Sequence, residues 1–534
     1  MLRWMLFFMG LTSLVWAQPF TAADSLRGNY GRYRANNDLL HYDLELRIDP
    51  KIQAIAGKNT IRFKMLKADN KIQLDLYANM ALQKVFYKGV PMPFERQGNT
   101  FWVRFYEMLP AGSVQEVEVV YGGQPKATSR FGGFKFDHDP DGNDWVFTAG
   151  EDVGAMVWWP NKEQWRDEPD SMRLRFTVPK NLVAVSNGRL AGTTPIGDDW
   201  MQYDWRVSYP INNYNVSVNV GKYTHFSDQY HDLRLDYYVL TPNLEKAKIQ
   251  FAQVKPMMGC FEKHFGPYPF KRDGYKLVEV PYAGMEHQSA VAYGNRWANG
   301  YLERDWTGVG ISPRFDFIII HESGHEWFGN AVSAAEQADM WIHEATDTYA
   351  ESAYVECLWG YQDALRYISG YAPKVANDRP IIGYYGVAKA GSGGDMYFKG
   401  TLMFNTLRHV VHNDALWWKI WRDYVPTFYL KNITATDFIT YFNRKSRQNL
   451  TPIFDQYLRY TNIPKLEVRY RASGVQYRWV TDVKPFNMPL VVNVKGKDRR
   501  LYPTQTWKTL PGIQKGEFEP RTDQFYIRVA EVNP

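Results

Sequence analysis

The chain has 534 residues, 45% of them hydrophobic and 16% aromatic, which excludes a disordered protein and allows about three domains of roughly 150 residues, each with its own core. A formal charge of +6 is mild over this length, and no dense Lys/Arg run is present, which argues against a nucleic-acid partner. Two cysteines cannot build a disulfide framework or a thiolate zinc site, so any metal has to be held by histidine and carboxylate.

Residues 1–17 carry one basic residue, Arg3, then a short apolar run ending at Ala17, the pattern of a secretory signal cleaved after Ala17. The run falls short of the ~20 residues that a spanning helix needs, and no later segment is long and apolar enough. The expected product is exported, periplasmic or secreted, with no membrane span in the mature chain. From Leu39 to Val239 the hydrophobic period is two, as in Tyr42, Leu44, Leu46 and Ile48, or Leu233, Leu235, Tyr237 and Val239. A large N-terminal β domain is predicted over 18–240. Beyond Lys246 the period lengthens, predicting helices around Ile249 to Phe265, Phe315 to Ala331, Ala345 to Leu358, Thr401 to His412 and Thr434 to Asn443. Thr434 and Asp437 form a capping box at the start of the last. This mainly helical domain is predicted over 241–462. Alternation returns after Pro464, in Leu466, Val468 and Tyr470 and in Leu490, Val492 and Val494, predicting a small β-sandwich-like domain over 463–534. The expected fold class is multidomain α+β.

Chemistry concentrates in the helical domain. His321-Glu322-Ser323-Gly324-His325 follows an apolar run that can bury the start of a helix. Residues four apart share a helix face, so both imidazoles can point at one metal with Glu322 beside it. Catalytic zinc takes three protein ligands and keeps one position open. Glu344, nineteen residues past His325 on a second predicted helix, completes the set, giving one Zn2+ on His321, His325 and Glu344.

These residues, continued as His325-Glu-Trp-Phe-Gly-Asn330 and with Tyr349 after Glu344, resemble the gluzincin aminopeptidases that include membrane alanyl aminopeptidase and leukotriene hydrolase. Ala283-Gly284-Met285-Glu286-His287 matches the family's G-A-M-E-N motif in its Met and Glu. Asp395-Met396-Tyr397-Phe398-Lys399-Gly400 matches the segment that carries its catalytic tyrosine. Further matches are Tyr42-Asp-Leu-Glu-Leu46 with Gly57, Trp159-Pro160 through Asp167-Glu-Pro169, and Ser186-Asn-Gly188.

The resemblance implies a thermolysin-like catalytic domain and an exported three-domain member without the long helical C-terminal domain of many relatives. It also implies the substrate class, peptides with a free N-terminus. Glu322 becomes the general base that takes a proton from the attacking water and passes it to the leaving amine. Tyr397 donates to the developing oxyanion. Glu286 and Glu151 hold the α-ammonium, within a substrate cleft shaped by Ala283, Gly284 and Met285. Glu151 also reads as a solvated turn residue. An endopeptidase or specialised hydrolase on the same scaffold, and a catalytically silent binding scaffold, are the alternatives.

The chain departs from the family pattern at His287 and His343, where the family has Asn. His287 is expected to shape the cleft and could titrate near neutral pH; His343 is expected beside the ligands rather than among them. Asp137-His-Asp139-Pro-Asp141-Gly142 opens like a calcium loop but has Thr148 at the twelfth position, so a polar hairpin turn is expected. Cys260 and Cys357 read equally as a disulfide or as two buried thiols.

Overall fold

The structure is a computed structural model describing residues 20–127, 133–151, 154–391 and 393–533. The predicted signal and its cleavage site at Ala17 lie outside the described residues.

The alternating N-terminal segments form sheets. Asn37–Asp49, Ala54–Met65, Val114–Gly123 and Ser171–Pro179 belong to an eight-stranded sheet, joined by smaller sheets of four and three strands. Tyr42, Leu44, Leu46 and Ile48 all point inward, as side chains two apart on a strand must. They join Phe63, Val117, Val119, Trp159 and Leu174 in one hydrophobic core. Asp137 to Asp141 form a hairpin turn: Asp139 accepts from the backbone N–H groups of Asp141 and Asn143 and from the Asn143 amide. No cation cluster occurs there among the described residues.

The helical region is built on a second, five-stranded sheet in the order Tyr223–Tyr230, Leu233–Leu240, Tyr275–Glu279, Val291–Tyr293 and Gly284–Met285. The first two strands carry the same alternation as the N-terminal sheets, which is why the sequence groups them there. Tyr223–Tyr230 pairs only with Leu233–Leu240, and it is Leu233–Leu240 that pairs with Tyr275–Glu279, so this sheet draws strands from both sides of residue 240. Period two reveals a strand but not its partner.

Four helices matter for the site: α1 (Val254–Phe265), α2 (Phe317–Gly324), α3 (Trp341–Trp359) and α4 (Asp395–Val411). A disulfide between Cys260 and Cys357 ties α1 to the end of α3. The predicted helix from Phe315 to Ala331 is broken: regular α-structure ends at Gly324, and Phe328 and Gly329 have non-helical backbone. Helix Ala435–Ser446 starts with the expected Thr434/Asp437 capping box.

The C-terminal strands make a four-stranded and a three-stranded sheet. Leu466, Val468, Trp479, Leu490 and Val492 share one continuous core with the helices. Arg500 reinforces that junction by donating to the carbonyls of His409 and Val410 at the end of α4. No helix among the described residues is long and apolar enough to cross a membrane.

Candidate active site

Helix α2 owes its position to Asp316, whose buried carboxylate caps the helix by accepting from Ile318 N and Ile319 N. Tyr293 and Asn295 donate to the same carboxylate, fastening the helix start to the sheet. Burial raises the Asp316 pKa to about 6 against these hydrogen bonds. His321 and Glu322 then fall on the last turn and His325 at its end.

Helix α3 brings Glu344 against them. Glu344 Oε2 lies 3.8 Å from His321 Nε2 and 3.6 Å from His325 Nε2, and ligand atoms of all three residues fall within 4.8 Å of one another. His325 Nδ1 faces the Phe328 carbonyl at 2.9 Å, an acceptor that requires the proton on Nδ1 and leaves the Nε2 lone pair toward Glu344. The helix break makes this contact: Gly329, at φ 122°, turns the chain where a β-carbon would press on His343 and His325. His321 Nδ1 is fixed by Glu351 at 2.8 Å. Glu344 Oε2 is buried and takes no hydrogen bond from the described residues. Two outward-fixed imidazoles and an orphaned carboxylate oxygen are a donor set that fits a divalent metal such as zinc.

Charge in this site is crowded. Burial raises the Glu344 pKa to about 8, with Glu286 adding to it and His321 opposing. Burial raises Glu322 to about 8 as well, opposed by His321 and assisted by Glu286, Glu344 and Glu351. Burial works against charge on His321, yet Asp347, Glu351 and Glu322 outweigh it and raise its pKa well above the ordinary value. Several acids held around two histidines in the interior make a strong demand for a cation.

The other sequence-predicted residues converge here. A cavity of about 460 Å³ is lined by Ala283, Gly284, Met285, Glu286 and Glu151 together with the metal cluster, Glu322 and Tyr397. Glu151, Glu286 and Glu344 present carboxylate oxygens within 4.8 Å of one another, so Glu151 is a cavity residue. Tyr397, near the start of α4, stacks on His321 with ring centroids 6.0 Å apart and lines the cavity with Glu344.

His287 is a correction. It is fully buried, does not line the cavity, and has no hydrogen-bond partner for either ring nitrogen among the described residues. Burial pushes its pKa down to about 3, so it stays neutral instead of titrating near pH 7. His343 accepts from Ala334 N through Nε2 and stacks on Trp165, supporting the site from outside the ligand set.

Several residues escape sequence reasoning. Tyr214, from the N-terminal domain, donates to Glu286 Oε1 at 3.0 Å, and Asn187 and Tyr282 bond across the same boundary to the Gln288 and Thr148 carbonyls. The N-terminal domain therefore holds the Gly284–Met285 strand and its following loop in place. Glu326 binds Ser289 N from the other side. Glu351 carries a signal in retrospect, since it lies seven residues after Glu344 on the same helical face. Tyr214 carries none, because its contact is with a residue 72 positions away.

Comparisons with known proteins agree with this arrangement. Residues 39–214 match the peptidase M1 N-terminal domain and residues 249–457 the peptidase family M1 domain. Aminopeptidase 2 of Candida albicans is 24% identical over 353 residues, covering 63% of this chain and 37% of that protein. Aminopeptidase N of Oryctolagus cuniculus is 24% identical over 213 residues, 37% of this chain and 22% of that protein. The chain thus spans about a third or less of these curated relatives' length. The M1 zinc metallopeptidase of Deinococcus radiodurans shares the fold, with TM-score 0.69 at 18% identity over 80% of this chain and 95% of that one. A variant of that enzyme solved with a Tyr-Ser-Ala substrate gives TM-score 0.65 at 19% identity, over 81% of this chain and 96% of that one. Because both M1 domains are matched in order, and the His, His, Glu cluster falls inside the second, this chain belongs to peptidase family M1.

Proposed function

We propose that the chain is a zinc-dependent aminopeptidase that removes the N-terminal residue of peptides. The observation that carries this reading is the placement of Glu151, Glu286 and Glu344 within 4.8 Å of one another beside the His321, His325, Glu344 cluster, in one cavity. With Glu344 given to the metal, Glu151 and Glu286 remain, and an α-ammonium with three N–H donors suits that pair. An ammonium anchored there stands beside the metal ligands, which favours cleavage at the N-terminal end of a peptide. The tripeptide bound by the Deinococcus radiodurans relative supports peptides as the substrate class.

His321, His325 and Glu344 would hold the zinc, which when bound acidifies water and polarises the scissile carbonyl. Glu322, which lines the same cavity beside the ligands, takes the proton from the attacking water and delivers it to the leaving amine. Tyr397 donates a hydrogen bond to the carbonyl oxygen as it gains charge. Glu286, oriented by the Tyr214 hydroxyl, binds the ammonium together with Glu151. Export is part of the proposal: the Cys260–Cys357 disulfide suits an oxidising compartment, in keeping with the signal-like sequence of residues 1–17.

The test pairs metal analysis with free and N-acetylated aminoacyl reporters and internally cleavable blocked peptides. One zinc per chain with cleavage of free reporters alone is the expected result. Cleavage of blocked peptides would point to an endopeptidase, and a metal-free, inert chain to a binding scaffold.

A further inference from the structure

His321 meets two acids on its outer nitrogen. Nδ1 lies 2.8 Å from Glu351 Oε1 and 3.0 Å from Asp347 Oδ2. A histidine that ligates through Nε2 has a single N–H to give from Nδ1. Glu351 has other support, since the Tyr367 and Tyr371 hydroxyls both donate to it. Asp347 does not. It is fully buried, and apart from the imidazole contact neither of its oxygens has a hydrogen-bond partner among the described residues. Its Oδ2 also lies 3.6 Å from His325 Nε2. Glu344, Asp347 and Glu351 follow one another at i, i+3 and i+7 on α3, so one helix face delivers three carboxylates to the two histidines.

Room for Asp347 comes from Gly324. A β-carbon at 324 would sit 2.0 Å from Asp347 Oδ1 and 3.1 Å from its Cγ, while the next neighbour, Phe261 Cε2, is at an ordinary 3.4 Å. The backbone gives no other reason for glycine: Gly324 is helical and is absent from the positive-φ residues. Glycine in a helix costs about 1 kcal/mol against alanine, so the small side chain here serves space.

We infer that Asp347 is a positioning residue for the metal site, completing with Glu351 a two-carboxylate clamp on His321, and that Gly324 is the opening that admits it. The inference rests on the reading of His321 as a zinc ligand. A carboxylate at the outer edge of a ligating imidazole fixes the ring and strengthens its donor nitrogen. Among the described residues no Lys or Arg pairs with Asp347, and its ion-pair contacts are with the two histidines alone.

The test measures zinc affinity by chelator competition on the purified full chain, with thermal melts as a fold control. Asp347→Asn, which keeps the shape, and Gly324→Ala are each expected to remain folded and to bind zinc roughly 10–100-fold more weakly. In an Asp347→Ala background, Gly324→Ala is expected to add nothing further, because the clash is gone. Affinities of both single variants within two-fold of the parent overturn the inference, and so does an undiminished Gly324→Ala effect in the Asp347→Ala background. A parent that binds no zinc overturns the ligand reading itself; a parent that binds zinc with unchanged variants overturns only the role of Asp347.

Discussion

A β-carbon on Gly284 would stand 2.6 Å from Glu322 Oε1 and 2.7 Å from both Glu322 Cγ and Ile318 Cγ2. The Gly284–Met285 strand can lie this close to the proposed base only because residue 284 has no side chain. Gly284→Ala is therefore expected to push the Glu322 carboxylate aside while leaving the metal ligands in place. The expected outcome is a fall in kcat on the order of 10²-fold with zinc content unchanged, since a small misplacement of a catalytic group costs about that much. Steady-state kinetics beside metal analysis check it; an unaltered kcat would show that Glu322 has room to spare.

Glu322→Gln removes the proton acceptor but keeps the shape. A general base contributes about 10²–10⁴-fold, and a drop of that size with zinc retained is expected. Full activity in this variant removes Glu322 from the base role.

Glu286 is held by Tyr214 through a single 3.0 Å hydrogen bond and lies beside Glu151 and Glu344. Glu286→Ala should raise KM for free aminoacyl reporters and narrow the preference for free over N-acetylated ones, with zinc unchanged. Tyr214→Phe should do the same more weakly, on the scale of one hydrogen bond to a charged group, about 1.5–3 kcal/mol or roughly 10–150-fold at most. An unchanged preference in Glu286→Ala would take the residue out of the ammonium trap.

How much of this was readable from the residues follows from what each signal encodes. His321, Glu322, His325 and Glu344 were legible because their chemistry depends on spacing along helices, which sequence displays directly. The strands were legible as strands, since Leu233 to Val239 alternate, but their partners were not: pairing with Tyr275–Glu279 is a long-range contact. The break after Gly324 was hidden because Phe328 and Gly329 sit in a run that reads as continuous helix, and only the His325 contact explains the turn. His287 misled for a similar reason. A histidine beside the motif glutamate suggests titration, while burial, which sets its pKa, is a property of the folded chain.

The Cys260–Cys357 disulfide closes a separation of 97 residues between α1 and α3. By the chain-entropy estimate, a loop of that length contributes up to about 4.7 kcal/mol. The Cys260→Ser/Cys357→Ser pair is thus expected to melt several degrees lower than the parent, and reductant should lower the parent's midpoint but not the variant's. Calorimetry with and without reductant decides this, and equal midpoints would mean the bridge does little for stability.

Lys276 offers a pH test away from the metal. Its ammonium is buried, donates to the Gly188 carbonyl and lies 5.4 Å from the Trp205 ring centre. Burial lowers its pKa from 10.5 to about 8, with Asp273 opposing. The folded chain therefore gives up this proton near pH 8, while the unfolded chain holds it until about 10.5. Between those values the unfolded state binds more protons, so this residue's contribution to stability rises with pH. Lys276→Met lacks that contribution. The parent's melting midpoint minus the variant's, measured from about pH 7 to 10, should rise above pH 8; curves that stay parallel would show that Lys276 titrates alike in both states.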